Sequence, residues 1–370
     1  MTRERDDDAC PGALQVHQAA DGALARLRLP GGMITAAQLE ALALAASEYG
    51  HGTVELTVRG NVQLRGVRDT AAVADAAAVA GLLPSATHER VRNILASPLS
   101  GRVGGLADVR PWVAELDRGI QADPDLAQLP GRFMFGLDDG TGDVSGQRAD
   151  ACVHVLGERA ALLLAGADTG VRLAFDEVVP ALLAVARRFV EARGTAWRVS
   201  ELDDPSVLLS DFDTTEPAGT TYPPLAHPPV GWILQDDGRV ALGAAVPLGV
   251  LDARQAQFVA AIEAPVVITP WRSLLVFDLE EGLADASLRV LAPLGLVFDE
   301  NSQWLRVSAC VGSPGCEKSL ADVRAAATRA VAEPISHSHV HYVGCERACG
   351  SPPSGEVMVA TGEGFQSLHR

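Results

Sequence analysis

Four of the six cysteines of this chain lie in two short glycine-rich segments, residues 310–316 and 344–350. The spacing is C-x5-C in the first segment and C-x3-C in the second. Four thiolates from two turns suit a soft metal centre, and the irregular spacing favours an iron–sulfur cluster over structural zinc. Four unrelated buried thiols are the third interpretation, because free cysteine is often a small core residue. The crowding of both pairs near glycine and proline ranks the cluster first, zinc second and coincidence last.

The sequence also predicts how these thiols are presented. A helix is predicted to begin at Glu317, and its N-terminal amides would then point towards a negatively charged cluster. Cys345 and Cys349 are four residues apart, so one helical turn would place both sulfurs on one face. A buried helix start would look the same, so these features support the cluster without proving it.

Three histidines alternate along a predicted strand that leads into the second cysteine pair: His337, His339 and His341. Imidazoles at such positions are candidate ligands of a mononuclear iron. Hydrogen-bonding or surface histidine is the favoured interpretation for at least two of them.

A second set of residues could bind an anionic ligand. On a predicted strand over residues 53–66, turned or bulged at Gly60-Asn61, four polar side chains alternate and could share one face: Arg59, Asn61, Gln63 and Arg65. Further along the first half lie Arg92, Asn93 and Arg132. The planar fork of arginine donates two parallel hydrogen bonds to a carboxylate, so the set favours a lined cleft. For any single arginine, a solvated surface is the favoured alternative.

Composition limits the partners of the protein. The chain has 370 residues and a net charge of −17, which disfavours nucleic acid and anionic membrane as bulk partners. No apolar run approaches the roughly 20 residues of a membrane helix, and the N-terminus lacks the apolar core of a signal peptide. Six cysteines then argue for metal or redox use in the cytoplasm. Without a P-loop or a dinucleotide fingerprint, electrons must come from an external donor.

The elements that position these residues occur twice. In the first half the predicted order is strand 23–29, a Pro-Gly turn, a helix capped by Thr35, strand 53–66 and helix 70–80. In the second half it is strand 238–249 with a Pro-x-Gly turn, a helix capped by Asp252 and strand 265–277. Residues 82–101 line up in turn with residues 294–312. We therefore predict an α+β fold with duplicated halves, ferredoxin-like half-modules plus larger α/β segments, and pseudo-twofold symmetry.

Six segments follow from this repeat. The first is a flexible leader over residues 1–20. The predicted domains are half-module 1 (21–80), α/β domain 1 (81–202), a Pro/Thr/Asp-rich linker (203–229), half-module 2 (230–280) and α/β domain 2 with the cysteines (281–370).

The cysteine set, the duplicated module and the string Thr57-Val-Arg59-Gly-Asn61-Val-Gln63-Leu-Arg65 resemble the sulfite/nitrite reductase superfamily. This resemblance implies a [4Fe–4S] cluster held by four cysteines: Cys310, Cys316, Cys345 and Cys349. It implies that Cys349 would bridge to sirohaem in a reductase. It further implies tetrapyrrole and anion contacts at Arg59, Arg92 and Arg132, with Asn61, Gln63, Arg65 and Asn93 beside them.

The departures from the reductase pattern favour one branch. Met134 stands where sulfite reductases place a second oxyanion-binding lysine, and the chain is short for a reductase. In length and in His341 before Cys345, it is more similar to the precorrin-3B synthase branch. That branch implies O2-dependent hydroxylation of precorrin-3A at a meso carbon with lactone formation, helped by a non-haem iron. The alternative is a sirohaem-dependent sulfite or nitrite reductase.

Overall fold

The computed structural model describes residue 8 and residues 10–225, 228–333, 338–352 and 354–368. The strands are β1 (His17–Ala19), β2 (Gly22–Leu27), β3 (Met33–Ile34), β4 (Thr53–Leu56), β5 (Val62–Val67), β6 (Ile94–Ala96), β7 (Phe135–Asp138), β8 (Ala151–Leu156), β9 (Arg159–Leu164), β10 (Ala167–Leu173), β11 (Gly231–Leu234), β12 (Val240–Ala245), β13 (Val250–Asp252), β14 (Val266–Ile268), β15 (Ser273–Leu279), β16 (Val307–Ala309), β17 (Val340–Val343), β18 (Glu356–Ala360) and β19 (Phe365–Ser367). The α-helices are α1 (Ala36–Tyr49), α2 (Thr70–Val79), α3 (Arg110–Ala122), α4 (Val178–Ala192), α5 (Ala253–Ala260), α6 (Glu281–Leu291) and α7 (Val323–Val331). Among these described helices, none is both long and apolar enough to cross a bilayer.

The chain divides into two compact units, each formed by separate stretches of sequence. Unit 1 comprises the described parts of Met1–Gly12, Leu27–Met33 and Leu83–Ala226. Unit 2 comprises the described parts of Ala13–Arg26, Ile34–Leu82 and His227–Arg370. The six segments expected from the sequence stay a prediction.

Unit 1 is built on one five-stranded sheet in the order β10-β9-β8-β7-β6. Strands β6, β7 and β8 are parallel, whereas β9 and β10 continue the sheet antiparallel. Leu116 of α3 and Phe189 of α4 are fully buried in the core on one face of the sheet. Full burial of side chains of this size contributes about 1.5–3 kcal/mol each. The helices therefore cover one face of the sheet that contains β6 and β7.

The predicted linker is ordered over its described part. Thr214 forms an isolated bridge with Val171 of β10, and Thr221 forms one with Ala167. These contacts cover the edge of the unit 1 sheet, where unpaired backbone groups would otherwise be exposed.

Unit 2 contains two five-stranded sheets that exchange a strand. One has the order β1-β2-β5-β4-β13 and the other the order β11-β12-β15-β14-β3. Strand β13 of the second repeat pairs with β4 of the first, with Val250 opposite Glu55, while β3 of the first repeat lies beside β14 of the second. The α+β fold with duplicated halves is thus confirmed, and reciprocal exchange is the pattern that pseudo-twofold repeats would produce.

Local signals explain why the two repeats fold alike. Thr35 and Asp252 each form a capping box with a glutamine three residues later, Gln38 and Gln255 respectively. Each box satisfies backbone N–H groups that a helix start leaves unpaired. Both predicted helix starts are confirmed.

The strand predicted over residues 53–66 is a hairpin. Strands β4 and β5 pair antiparallel, with Val54 opposite Leu64. The turn between them closes through a hydrogen bond from the Thr57 N–H to the Asn61 carbonyl oxygen, at 2.9 Å. Gly60 has φ of 63°, a left-handed conformation that glycine adopts at little cost. Arg59 therefore lies in a turn, and its predicted place on one strand face with Gln63 and Arg65 is wrong.

The duplication continues in the third sheet of unit 2, whose order is β16-β17-β18-β19. Its first three strands are parallel and its last pairing is antiparallel, as in the run β6 to β9 of unit 1. Helix α3 follows β6 as α7 follows β16. The loop after β16 therefore corresponds to the loop after β6, as the repeat predicts.

Candidate functional site

The two cysteine loops start at the same edge of one sheet. Cys310 directly follows β16, and Cys345 lies two residues beyond the end of β17. The two strands are parallel neighbours, with Ser308 opposite His341, so their carboxyl ends lie together. A hydrogen bond from the Cys310 N–H to the Tyr342 carbonyl oxygen, at 2.9 Å, continues this pairing. In α/β architectures such an edge is where ligands bind.

The four cysteines of the two loops are free thiols. None of the six cysteines, all within the described ranges, forms a disulfide. Burial raises the pKa of Cys349, and the neighbouring thiols of Cys310, Cys345 and Cys316 raise it further. Burial also raises the pKa of Cys310. A metal bound here would have to displace protons. Four free thiols on two loops at one edge of a sheet are a donor set that fits an iron–sulfur cluster.

The helix predicted at Glu317 begins later. Turns follow Cys316, whose N–H donates to the Gly312 carbonyl oxygen at 2.8 Å. Helix α7 starts only at Val323, with the Asp322 side chain accepting from the Ala325 N–H. Asp322 is the better cap, because a short carboxylate can accept from the third N–H of the helix. The predicted helix dipole at Cys316 is therefore wrong.

Two of the three histidines form hydrogen bonds to Ser308 of β16, and one of them, His341, also bonds to the second cysteine loop. The Oγ atom of Ser308 lies 2.7 Å from Nε2 of His339 and 2.7 Å from Nδ1 of His341. Nε2 of His341 lies 3.0 Å from the Cys349 carbonyl oxygen. Burial lowers the pKa of His339 to about 4, so this ring is neutral at physiological pH. His337 lies outside the described residues.

The polar residues predicted beside Arg59 have protein partners. Arg65 is buried, and its guanidinium pairs with Asp21 through two hydrogen bonds of 2.9 and 2.7 Å. The Gln63 amide donates to Glu55 at 2.8 Å. Asn61 is buried at the end of the hairpin turn, where its N–H donates to the Thr57 hydroxyl at 3.2 Å.

In unit 1 the remaining arginines have different surroundings. Arg92 is buried and forms a bidentate ion pair with Asp117, with distances of 2.6 and 2.8 Å. Asn93 donates to three backbone carbonyl oxygens, including that of Gly131 at 2.9 Å. Arg132 is exposed, and its guanidinium carbon lies 5.0 Å above the centre of the Trp197 ring. Arg132 thus has a surface position, whereas Arg92 and Asn93 hold the framework.

In the structure, Met134 belongs to a buried hydrophobic cluster of unit 1. Its side chain is 4% exposed and packs with Cys152 and Leu163. Its N–H donates to the Asp150 carboxylate at 2.8 Å.

A carboxylate loop occupies the position in unit 1 that the second cysteine loop occupies in unit 2. It follows β7 as that loop follows β17, and oxygens of Asp138, Asp139 and Asp143 lie within 4.8 Å of one another. Burial opposes ionisation of Asp138, but a hydrogen bond from His154 and backbone N–H groups lower its pKa to about 2. The acidic run is visible in the sequence, but only the repeated strand order of the structure shows that it corresponds to the second cysteine loop.

The Asp143 carboxyl is expected to make the free energy of unfolding depend on pH. Burial, and then the charges of Asp138 and Asp139, raise its pKa to about 7 from 3.8. The folded state therefore binds a proton that the unfolded chain releases, and this stabilisation is lost as pH rises from about 4 to 7. Asn cannot ionise, so we expect Asp143→Asn to exceed the parent in free energy of unfolding by about 2–4 kcal/mol above pH 7 and by little at pH 4. Urea unfolding in the presence of a chelator measures the difference; a pH-independent difference would contradict the raised pKa.

Comparisons with known proteins show what the chain is similar to. The family described as nitrite/sulfite reductase ferredoxin-like half domain matches residues 17–79. The structure of the Mycobacterium tuberculosis NirA protein superposes with a TM-score of 0.77 at 22% identity, covering 93% of this chain and 74% of that one. The predicted resemblance to the sulfite/nitrite reductase superfamily is confirmed, and the chain shares the fold of the NirA protein.

The similar sequences differ in how much of this chain they match. The chain is 28% identical over 384 aligned residues to a precorrin-3B synthase from Sinorhizobium sp, covering 96% of this chain and 81% of that protein. It is 32% identical over 126 residues to the ferredoxin–nitrite reductase of Synechococcus elongatus, covering 32% of this chain and 25% of that protein. A nitrite reductase of Arabidopsis thaliana matches over 29% of this chain. Nearly full-length similarity is thus to a precorrin-3B synthase.

Proposed function

We propose that this protein is an O2-dependent monooxygenase of the precorrin-3B synthase type. The observation that carries the proposal is the similarity to the Sinorhizobium protein over 96% of this chain, against about a third for the Synechococcus nitrite reductase. In the proposed reaction one atom of O2 hydroxylates a meso carbon of precorrin-3A, and a ring acetate closes a lactone. The other atom leaves as water after two electrons from an external donor and two protons.

The cysteine loops take the role of electron transfer in this proposal. Cys310, Cys316, Cys345 and Cys349 would hold a [4Fe–4S] cluster. When bound, such a cluster supplies single electrons at low potential. Nε2 of His341 lies 3.0 Å from the Cys349 carbonyl oxygen, a hydrogen bond that helps to hold the second loop.

Arginines would recognise the carboxylates of the tetrapyrrole. Arg59 in its hairpin turn and Arg132 at the surface are the proposed contacts, because a guanidinium matches a carboxylate geometrically. Two guanidinium nitrogens of Arg92 donate to Asp117, so only the third would be available to a substrate carboxylate. Gln63, Asn61, Arg65 and Asn93 act indirectly in this proposal, by holding the elements that carry the arginines.

A non-haem iron remains part of the proposal without an assigned ligand set. His339 and His341 both make hydrogen bonds to Ser308. Spectroscopy of protein carrying the cluster would detect a second iron.

The test is anaerobic reconstitution followed by precorrin-3A, a reductant and isotopically labelled O2. We expect a product that contains one oxygen atom from O2, and no conversion without O2. Mass analysis of the product gives the answer. Tightly bound sirohaem bands in the visible spectrum, with no oxygen incorporated, would instead support a sirohaem-dependent sulfite or nitrite reductase.

A further inference from the structure

Two arginines, one from each ferredoxin-like repeat, donate to the two cysteine loops. Nη2 of Arg65 lies 2.8 Å from the carbonyl oxygen of Gly315, the residue before Cys316. Nη2 of Arg272 lies 2.9 Å from the carbonyl oxygen of Gly350, the residue after Cys349. Each loop is therefore bonded beside one of its cysteines to a different repeat.

An ion pair with Asp21 orients the Arg65 side chain that donates to the first cysteine loop. Arg65 lies on β5 with its side chain 6% exposed, and Asp21 accepts two hydrogen bonds from its guanidinium. A buried, charge-paired arginine has little freedom to move, because unpairing it would leave a charge without solvation. The bond to Gly315 is thus made by a preoriented donor.

Arg272 occupies a backbone position that normally favours glycine. It lies in the turn between β14 and β15, where the Thr269 N–H donates to the Ser273 carbonyl oxygen at 2.9 Å. The first repeat closes its turn with the same bond and has Gly60 at this position, with φ of 63°. Arg272 has φ of 56°, a left-handed conformation that side chains rarely adopt. A side chain in this strained conformation is a candidate for a positioning role, and the Arg272 guanidinium does bond to the Gly350 carbonyl oxygen.

Gly249 leaves space for the Arg272 side chain. A Cβ atom on Gly249 would lie 2.7 Å from Cδ of Arg272, and Gly249 itself has φ of 72°. The Arg272 guanidinium reaches the Gly350 carbonyl oxygen, one residue beyond Cys349. Its cation is therefore near the second cysteine loop.

We propose that Arg65 and Arg272 are positioning residues that clamp the two cysteine loops, and that the charge of Arg272 stabilises the reduced state of the cluster held there. This rests on the cluster assignment made under the proposed function. The left-handed turn at Arg272 aims the guanidinium at the Gly350 carbonyl oxygen. Arg65 and Arg272 need not touch substrate in this role.

The first test is amide hydrogen exchange on the full chain carrying its reconstituted cluster. A hydrogen bond from a charged donor corresponds to roughly a ten- to hundredfold change in local opening. We expect Arg65→Met to accelerate exchange by that factor in residues 312–319, including the Cys316 amide. Arg272→Gly should do so in residues 345–351, including the Ala348 amide. Each variant should affect its own loop more than the other.

The second test follows the cluster itself in Arg272→Gly, Arg272→Lys and Glu263→Gly. Glu263 is an exposed residue of unit 2 with φ of 58°, so Glu263→Gly relaxes a left-handed residue without touching the cysteine loops. We expect Arg272→Gly to lose its cluster to a chelator about tenfold faster and to lower the reduction potential. Arg272→Lys should keep the potential near that of the parent while losing cluster faster. Glu263→Gly should match the parent in both.

Two results would overturn the clamp. One is exchange in the cysteine loops that is unchanged, or that rises equally in both loops whichever arginine is replaced. The other is an Arg272→Gly protein with the potential and cluster lifetime of the parent. Neither readout uses precorrin-3A, so a failure of the proposed reaction appears separately, as absent product from a parent protein with a stable cluster.

Discussion

Cys345→Ser protein reconstituted anaerobically is expected to contain almost no cluster iron or sulfide and to convert no precorrin-3A. A serine hydroxyl does not give up its proton at neutral pH as a thiol does in forming a thiolate ligand. With three thiols left on the two loops, the cluster loses a quarter of its ligands. Iron and sulfide analysis together with the visible spectrum measures the loss. The same result is expected at Cys310, Cys316 and Cys349.

The matched controls are the two cysteines outside the loops. Cys152 is fully buried beside Gly136, whose added Cβ would lie 2.7 Å from the Cys152 Sγ atom. Serine there would bury a hydroxyl, so Cys152→Ala is the cleaner control. Cys10→Ala is the second control. Both should keep full iron and sulfide content; full content in Cys345→Ser would remove Cys345 from the ligand set.

Local signals made the repeats predictable. The Thr35 and Asp252 caps act within three residues, and the two Pro-containing turns recur with the same neighbours, so the sequence carries them directly. The exchange of β3 and β13 between sheets is a pairing between distant segments, which no local pattern encodes. The cysteine loops, like the helix caps, were predictable from residues close together in sequence. Their chemistry requires particular residue types at short spacing, whatever the surrounding fold.

The arginine set was harder to predict, because its meaning depends on partners far along the chain. Alternation along residues 53–66 placed Arg59 and Arg65 together only if the strand continued through Gly60. A left-handed turn at Gly60 separates them, and Asp21 then holds Arg65. Arg272 carried no motif at all. Only comparison of the two folded turns reveals it as a side chain at a glycine position.

Arg92→Ala is expected to lower the free energy of unfolding by about 3 kcal/mol, near the lower end for a broken buried pair. The side chains of Arg92 and Asp117 are 6% and 16% exposed, so the substitution leaves a largely desolvated carboxylate. The Gln121 amide still donates to Asp117 at 2.9 Å and limits the loss. Arg132→Ala removes only a surface contact with Trp197 and should cost about 1 kcal/mol or less. Urea unfolding of both variants measures the contrast.

A double-mutant cycle then separates stability from substrate binding. Asp117→Ala in the Arg92→Ala background removes the unpaired carboxylate, so the double variant should lose less stability than the sum of the two single losses. Additive losses would mean that the pair contributes nothing. If Arg92 also binds a substrate carboxylate, precorrin-3A affinity stays weak in the double variant although its fold is restored. If Arg92 only holds the framework, affinity returns with stability, and carboxylate recognition falls to Arg59 and Arg132.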